Sequence, residues 1–173
     1  MSACEILNYQ IINGYIYEDG YVEENAIDAV VCCFGKYDCF RERTGFGCVA
    51  DPYILFYNDT YYAYGTSRAD GFEVYSSKDM KSWERSPRLA LSKEDSYGDK
   101  WFWAPEVYYV EEDKKFYMFY SVEEHICVAT STSPEGPFIQ REKKPIVADE
   151  KGIDTSFFID DDGTPYLYYV RFT

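Results

Sequence analysis

The sequence contains a single histidine, His125, and no two cysteines at CxxC spacing. Transition-metal sites draw mainly on those side chains, so no zinc, copper or iron centre is expected. No serine sits in a Gly-x-Ser-x-Gly setting with a His partner, which removes the serine-hydrolase reading. No run of about 18 apolar residues occurs, so no membrane-spanning helix is expected. The N-terminal stretch MSACEILNYQ lacks the basic and apolar regions of a secretory leader. The resulting expectation is a cytoplasmic chain with reduced thiols, a disulfide framework of its six cysteines being the alternative. Positive charge is also scarce, with 17 Lys and Arg against 31 Asp and Glu and a net charge of −14. Such a surface repels phosphate backbones and anionic lipids, so neither nucleic acid nor a membrane is an expected partner.

What the chain has in quantity is aromatic side chains. They form 20% of its 173 residues, and 19 are Tyr, which argues for a sheet-rich fold and against disorder. Two regions differ in character. Residues 1–48 hold five of the six cysteines and no Pro or Trp, with a hairpin expected in 8–24. They read as an N-terminal extension of unknown role. Residues 49–173 are regular.

In that second region, DPYILFYNDTYYAYGTS (51–67) offers two aromatic-rich runs that turn at Asn58-Asp59. GFEVYSSKDMKSWE (71–84) adds a strand and a turn closing on Trp83. APEVYYVEEDKKFYMFYS (104–121), turning at Glu111–Lys115, and ICVATSTSPEGPF (126–138), closing on Phe138, repeat both patterns. IDTSFFIDDDGTPYLYYV (153–170) begins them a third time, with a turn at Asp160–Gly163. A repeat of about 40–50 residues carrying four short strands reads as a propeller blade. The chain is therefore expected to be all-β, an incomplete β-propeller of about two and a half blades, where closure needs at least four.

Asp51, Glu106 and Asp154 head the successive units. In a propeller the first strand of each blade lines the central channel, so radial repetition brings these three carboxylates around one axis. Clustered carboxylates repel, and one proton is then held at raised pKa. An acid and a base become available together near neutral pH, as glycoside hydrolysis requires. The competing structural reading is that these acids cap strands or bind backbone N–H groups of the next blade.

The motifs that carry these residues resemble a known family. Val49-Ala50-Asp51-Pro52 with Tyr61–Ser67, and Val74–Glu84, resemble the opening blade of glycoside hydrolase family 43. Trp103-Ala104-Pro105-Glu106-Val107 and Ser133–Phe138 resemble the start and end of its second blade. Ile153–Phe158 with Asp160–Gly163 resembles the start of its third. The resemblance spans about residues 49–171 and implies a five-bladed propeller. It also implies inverting hydrolysis of arabinofuranosyl or xylosyl linkages in plant polysaccharides, with an oligosaccharide or polysaccharide as partner. By the same resemblance, Asp51 is the general base, and Asp154 orients the general acid and tunes its pKa. That acid is a Glu at the head of the next blade, a position these 173 residues do not reach. The alternative function is a non-catalytic carbohydrate-binding or interaction module, or an inactive fragment that self-associates through an open blade face.

Trp103, Glu106 and Phe157 are the candidate substrate-binding residues, Trp103 because an indole face stacks well on a sugar ring. Packing between blades is the competing reading for Trp103, and for Phe157 it is the stronger one. No catalytic metal or cofactor is expected, although the family resemblance leaves room for a structural Ca²⁺. Asp160–Asp162 reads as hairpin-turn chemistry rather than as Ca²⁺ ligands. Glu135 reads as part of an outer turn rather than as the acid.

Overall fold

A computed structural model describes residues 49–172, and within them the chain is nearly all β, with one 3-10 turn at Lys93–Asp95 and no α-helix. The extension reading of 1–48, its hairpin and five of the six cysteines lie outside the described residues. Blade I is a four-stranded antiparallel sheet in the order β1 (Ala50–Tyr57), β2 (Thr60–Thr66), β4 (Val74–Ser77), β5 (Glu84–Arg85). A small ribbon of β3 (Gly71–Phe72) and β6 (Leu91–Ser92) flanks it. Blade II consists of β7 (Phe102–Val110), β8 (Lys115–Val122) and β9 (His125–Ser131). Its expected fourth strand is reduced to a single bridge between Thr130 and Ile139. Blade III is represented by the hairpin β10 (Gly152–Ile159) and β11 (Pro165–Arg171).

Turn chemistry explains the hairpins. Asn58-Asp59 and Glu123-Glu124 each close a two-residue turn with both residues at positive φ, a geometry whose twist matches that of the flanking strands. At the third hairpin, Asp160 Oδ1 accepts from the Asp161 N–H and Asp162 Oδ1 from the Thr164 N–H, so these carboxylates serve the turn. The turn between β7 and β8 is shorter than expected, because Lys115 already pairs with Val110 in the ladder. The SSKDMKSW stretch folds on itself. Asp79 Oδ1 accepts from the N–H groups of Lys81 and Ser82, and the Trp83 indole N–H donates to the Met80 carbonyl.

Blade I is buried on both faces. Leu55, Tyr64 and Val74 join Val107, Met118, Tyr120 and Val122 of blade II in the main core, together with Phe72 and Phe102. Their neighbours of opposite parity, Ile54, Ala63 and Tyr75, form a second cluster with Val49 and Trp83. Period-two alternation therefore places apolar residues on both sides of one sheet, as blade-on-blade stacking demands. The first strands of the three blades also meet. Tyr53 contacts Tyr108 at 5.5 Å between ring centroids, and Tyr108 contacts Phe157 at 5.3 Å.

The Ser133–Phe138 segment docks blade II onto blade I. Tyr64 Oη donates to the Pro134 carbonyl and the Phe138 N–H to the Ala90 carbonyl at 2.7 Å. This fixes Glu135 on an exposed outer turn, as the sequence reading had it. Gly136 has φ +84°, and a Cβ there would lie 2.3 Å from the Ala90 carbonyl oxygen. Gly136→Ala is therefore expected to destabilise the fold by about 1–3 kcal/mol, read from its urea midpoint. An unchanged midpoint would contradict this docking.

Candidate active site

Each blade begins with the same irregularity. The ladder register breaks between Ala50 and Tyr53, between Trp103 and Glu106, and between Ile153 and Ser156. Within each break one residue adopts left-handed backbone: Asp51 (φ 48°), Ala104 (φ 45°) and Asp154 (φ 55°). A bulge bends the strand and re-aims the side chain at that position. The bulges thus make Asp51 and Asp154 equivalent, one in blade I and one in blade III.

Glu106 does not share that position, which corrects the expectation that it heads blade II as the aspartates head theirs. The bulge residue there is Ala104, and Glu106 lies two residues further along, level with Tyr53 and Ser156. A signal for this exists in the sequence: Pro52 follows Asp51 as Pro105 follows Ala104.

The bulge residue's N–H leaves the ladder and needs an acceptor, and the preceding blade supplies one each time. Ala104 N–H donates to Thr66 Oγ1 at 2.9 Å, and Asp154 N–H donates to Ser121 Oγ at 3.2 Å. Thr66 and Ser121 hold equivalent places, opposite Ala50 and Trp103 in their own blades. Thr66 Oγ1 in turn donates to Asp51 Oδ2 at 2.9 Å. The Asp51 carboxylate is thereby oriented by a hydroxyl that also clamps blade II. Thr66 was not among the residues singled out from sequence, because its role depends on cross-strand register.

The electrostatics follow from the crowding. Burial raises the Asp154 carboxyl above the ordinary range, and the Asp51 charge adds to that. Burial likewise raises Glu106, opposed by hydrogen bonds from the Tyr108 hydroxyl and the Phe157 N–H and reinforced by the Asp154 charge. Tyr108 Oη donates to Glu106 Oε2 and accepts from the Phe157 N–H at 3.3 Å. A carboxyl whose pKa is higher folded than unfolded binds protons more tightly in the native state. Its stabilising contribution is present below the unfolded pKa and is lost as pH rises through the folded one. Glu106→Gln is therefore expected to raise the melting temperature at pH 7, by an amount that shrinks as the pH falls toward 4. A pH-independent difference would refute the burial of charge at this position.

Of the other candidates, Trp103 is half-buried and stacks parallel on Trp101 at 6.1 Å and 11°. Phe157 packs face to face on Phe119 at 4.8 Å and edge-on to Tyr108. Its ring is taken up by the joint between blades II and III. His125 opens β9, with Nδ1 2.8 Å from the Glu123 carbonyl oxygen. Cys127 is buried, and burial pushes its thiol up to about 12. Among the described residues, no group of three or more His, Cys, Asp or Glu side chains is arranged to hold a metal ion.

Successive antiparallel blade units, four-stranded in blade I, three-stranded in blade II and a hairpin in blade III, with aspartates at the bulged heads of the first and third, define part of a propeller of the glycosidase kind. The chain belongs to the glycosyl hydrolases family 43, whose model matches residues 44–173. It is 66% identical to an endo-1,4-beta-xylanase of known structure from Bacteroides thetaiotaomicron. That match has a TM-score of 0.69 and covers 72% of this chain and 43% of the other. It is 31% identical over 144 residues to the beta-D-galactofuranosidase xynD of Aspergillus niger, covering 71% of this chain and 42% of that protein. Over 146 residues it is 28% identical to the extracellular exo-alpha-(1->5)-L-arabinofuranosidase ArbA of Cellvibrio japonicus, covering 72% and 41% respectively. The chain thus spans about two fifths of the length of these relatives.

Proposed function

We propose that this chain forms the base-bearing blades of an inverting glycosidase that acts on arabinofuranosyl, xylosyl or galactosyl linkages. Asp51 is the general base, Asp154 sets the orientation and proton affinity of the acid, and the partner is an oligosaccharide or polysaccharide. The observation that carries this reading is the pair of aspartates on matching bulges in blades I and III, close enough for the Asp51 charge to help raise Asp154. An inverting site needs a carboxylate that deprotonates water on one face of the sugar and an acid that protonates the leaving oxygen on the other. Asp51 suits the first task because it is exposed and held by Thr66 through one oxygen. In this reading Glu106 bonds a sugar hydroxyl beside Asp154, and Trp103 stacks on a ring.

The test separates the base from the acid. A dinitrophenyl leaving group departs without protonation, so activated aryl glycosides need Asp51 and not the acid. The purified 173-residue chain is expected to hydrolyse dinitrophenyl α-L-arabinofuranoside, β-D-xyloside or β-D-galactoside faster than buffer does. A folded chain that binds these sugars and turns over none of them would instead support a carbohydrate-binding module.

A further inference from the structure

A cleft of about 610 Å³ lies beside Asp51, between the start of β1, the end of β2 with the loop after it, and the start of β7. Thr66, Ser67, Arg68, Lys100, Trp101 and Trp103 supply its chemistry, and among the described residues no carboxylate contributes to its wall. In a chain of net charge −14 that local sign is unusual. The Arg68 charge is already engaged, by Asp70 at 2.7 Å and Glu73 at 3.7 Å. Lys100 has no ion-pair partner among the described residues, and its Nζ sits 4.7 Å over the Trp101 ring. Trp101 itself is 47% exposed. Ser67 Oγ is buried at the cleft without a hydrogen-bond partner.

We propose that this cleft binds a sugar unit bearing a carboxylate, a uronate next to the glycosidic bond that Asp51 addresses. The proposal rests on the glycosidase reading above. The paired indoles offer apolar surface to the C–H face of a pyranose. A carboxylate on that ring meets Lys100, which otherwise has only the weak attraction of an aromatic face. Ser67 Oγ gains the partner it lacks by bonding a ring substituent. A neutral sugar stacks on the same indoles and leaves the ammonium unused. The acidic surface as a whole repels an anion, but at 0.15 M salt that field decays over about 8 Å, and the direct Lys100 contact outlasts it.

The experiment is calorimetric titration of the 173-residue chain at 0.15 M salt with methyl β-D-glucuronide and with methyl β-D-glucoside. The two differ only in carrying a carboxylate or a hydroxymethyl group. The glucuronide is expected to bind about tenfold tighter, as one charge-assisted contact supplies. Lys100→Gln is expected to abolish the difference while leaving glucoside binding intact, and Trp101→Ala to weaken both ligands. Equal affinities, a preference that survives Lys100→Gln, or a folded chain that binds neither sugar would each overturn the proposal. None of these results bears on water activation by Asp51, which the dinitrophenyl glycoside assay reads separately.

Discussion

Asp51→Asn is expected to lower kcat on dinitrophenyl glycosides by about 10²–10⁴-fold, the usual contribution of a positioned general base. The substitution is nearly isosteric, and three features confine its effect to the chemistry. Asn tolerates the left-handed backbone that Asp51 adopts at φ 48°. Its amide oxygen still accepts the Thr66 hydroxyl that Asp51 Oδ2 accepts at 2.9 Å. The side chain is exposed, so removing its charge leaves no orphaned partner in the core. What disappears is the capacity to take a proton from water. Released dinitrophenolate measures the rate, and an unchanged melting curve shows that the fold survives. A variant that keeps more than about a tenth of the parent rate, outside the range a base contributes, would remove Asp51 from that role.

Phe102→Ala is expected to be the most damaging single substitution to stability, at about 3–5 kcal/mol. Phe102 is 1% exposed, meets Phe72 edge-on at 5.7 Å and lies parallel to Tyr120 at 6.4 Å. The three rings come from three different strands. Phe72 is held by the pairing of β3 with β6, Tyr120 by its pairing with Cys127 of β9, and Phe102 by its pairing with Val122 of β8. None of them can move into the vacated space without breaking its own ladder, so the cavity stays open. Since whole domains are stable by only about 5–15 kcal/mol, the variant would sit near the edge of folding. Its urea midpoint is expected to fall sharply, and Phe102→Leu, which keeps much of the volume, to fall less. Equal midpoints for the two variants would place Phe102 outside the joint that holds blades I and II together.

Much of the architecture was legible because its signals are local. Asn58-Asp59 and Asp160–Gly163 carry turn chemistry in their own side chains, and the flanking aromatics alternate with the period of a strand. The spacing of the units announced blades, and the position of Glu135 after a Ser/Thr-rich strand correctly marked an outer turn. The misplacement of Glu106 has an equally local cause. Matching the units by their carboxylates fails because the bulge position of blade II holds Ala104, and matching them by Pro52 and Pro105 would have found it. The second blade's missing fourth strand was not visible, since residues 139–146 differ little in composition from a short edge strand and only the pairing partners decide whether a ladder forms.

By itself the sequence determined the all-β class, the partial blade count, the hairpin turns at Asn58-Asp59 and Asp160–Gly163, and the two aspartates at the strand starts. Each of these depends on residue type and on spacing within a few positions, where backbone preference and side-chain period act directly. The tertiary structure alone decided that Asp51 and Asp154 ride on matched bulges and that Thr66 ties Asp51 to blade II. It also decided that Lys100 and two indoles line a cleft with Ala50 and Thr66. Those facts depend on register between strands and on how one blade stacks against the next. Hydrogen bonds between residues 15, 33 and 38 positions apart, with ring contacts between blades, set that geometry, and no short-range pattern encodes them.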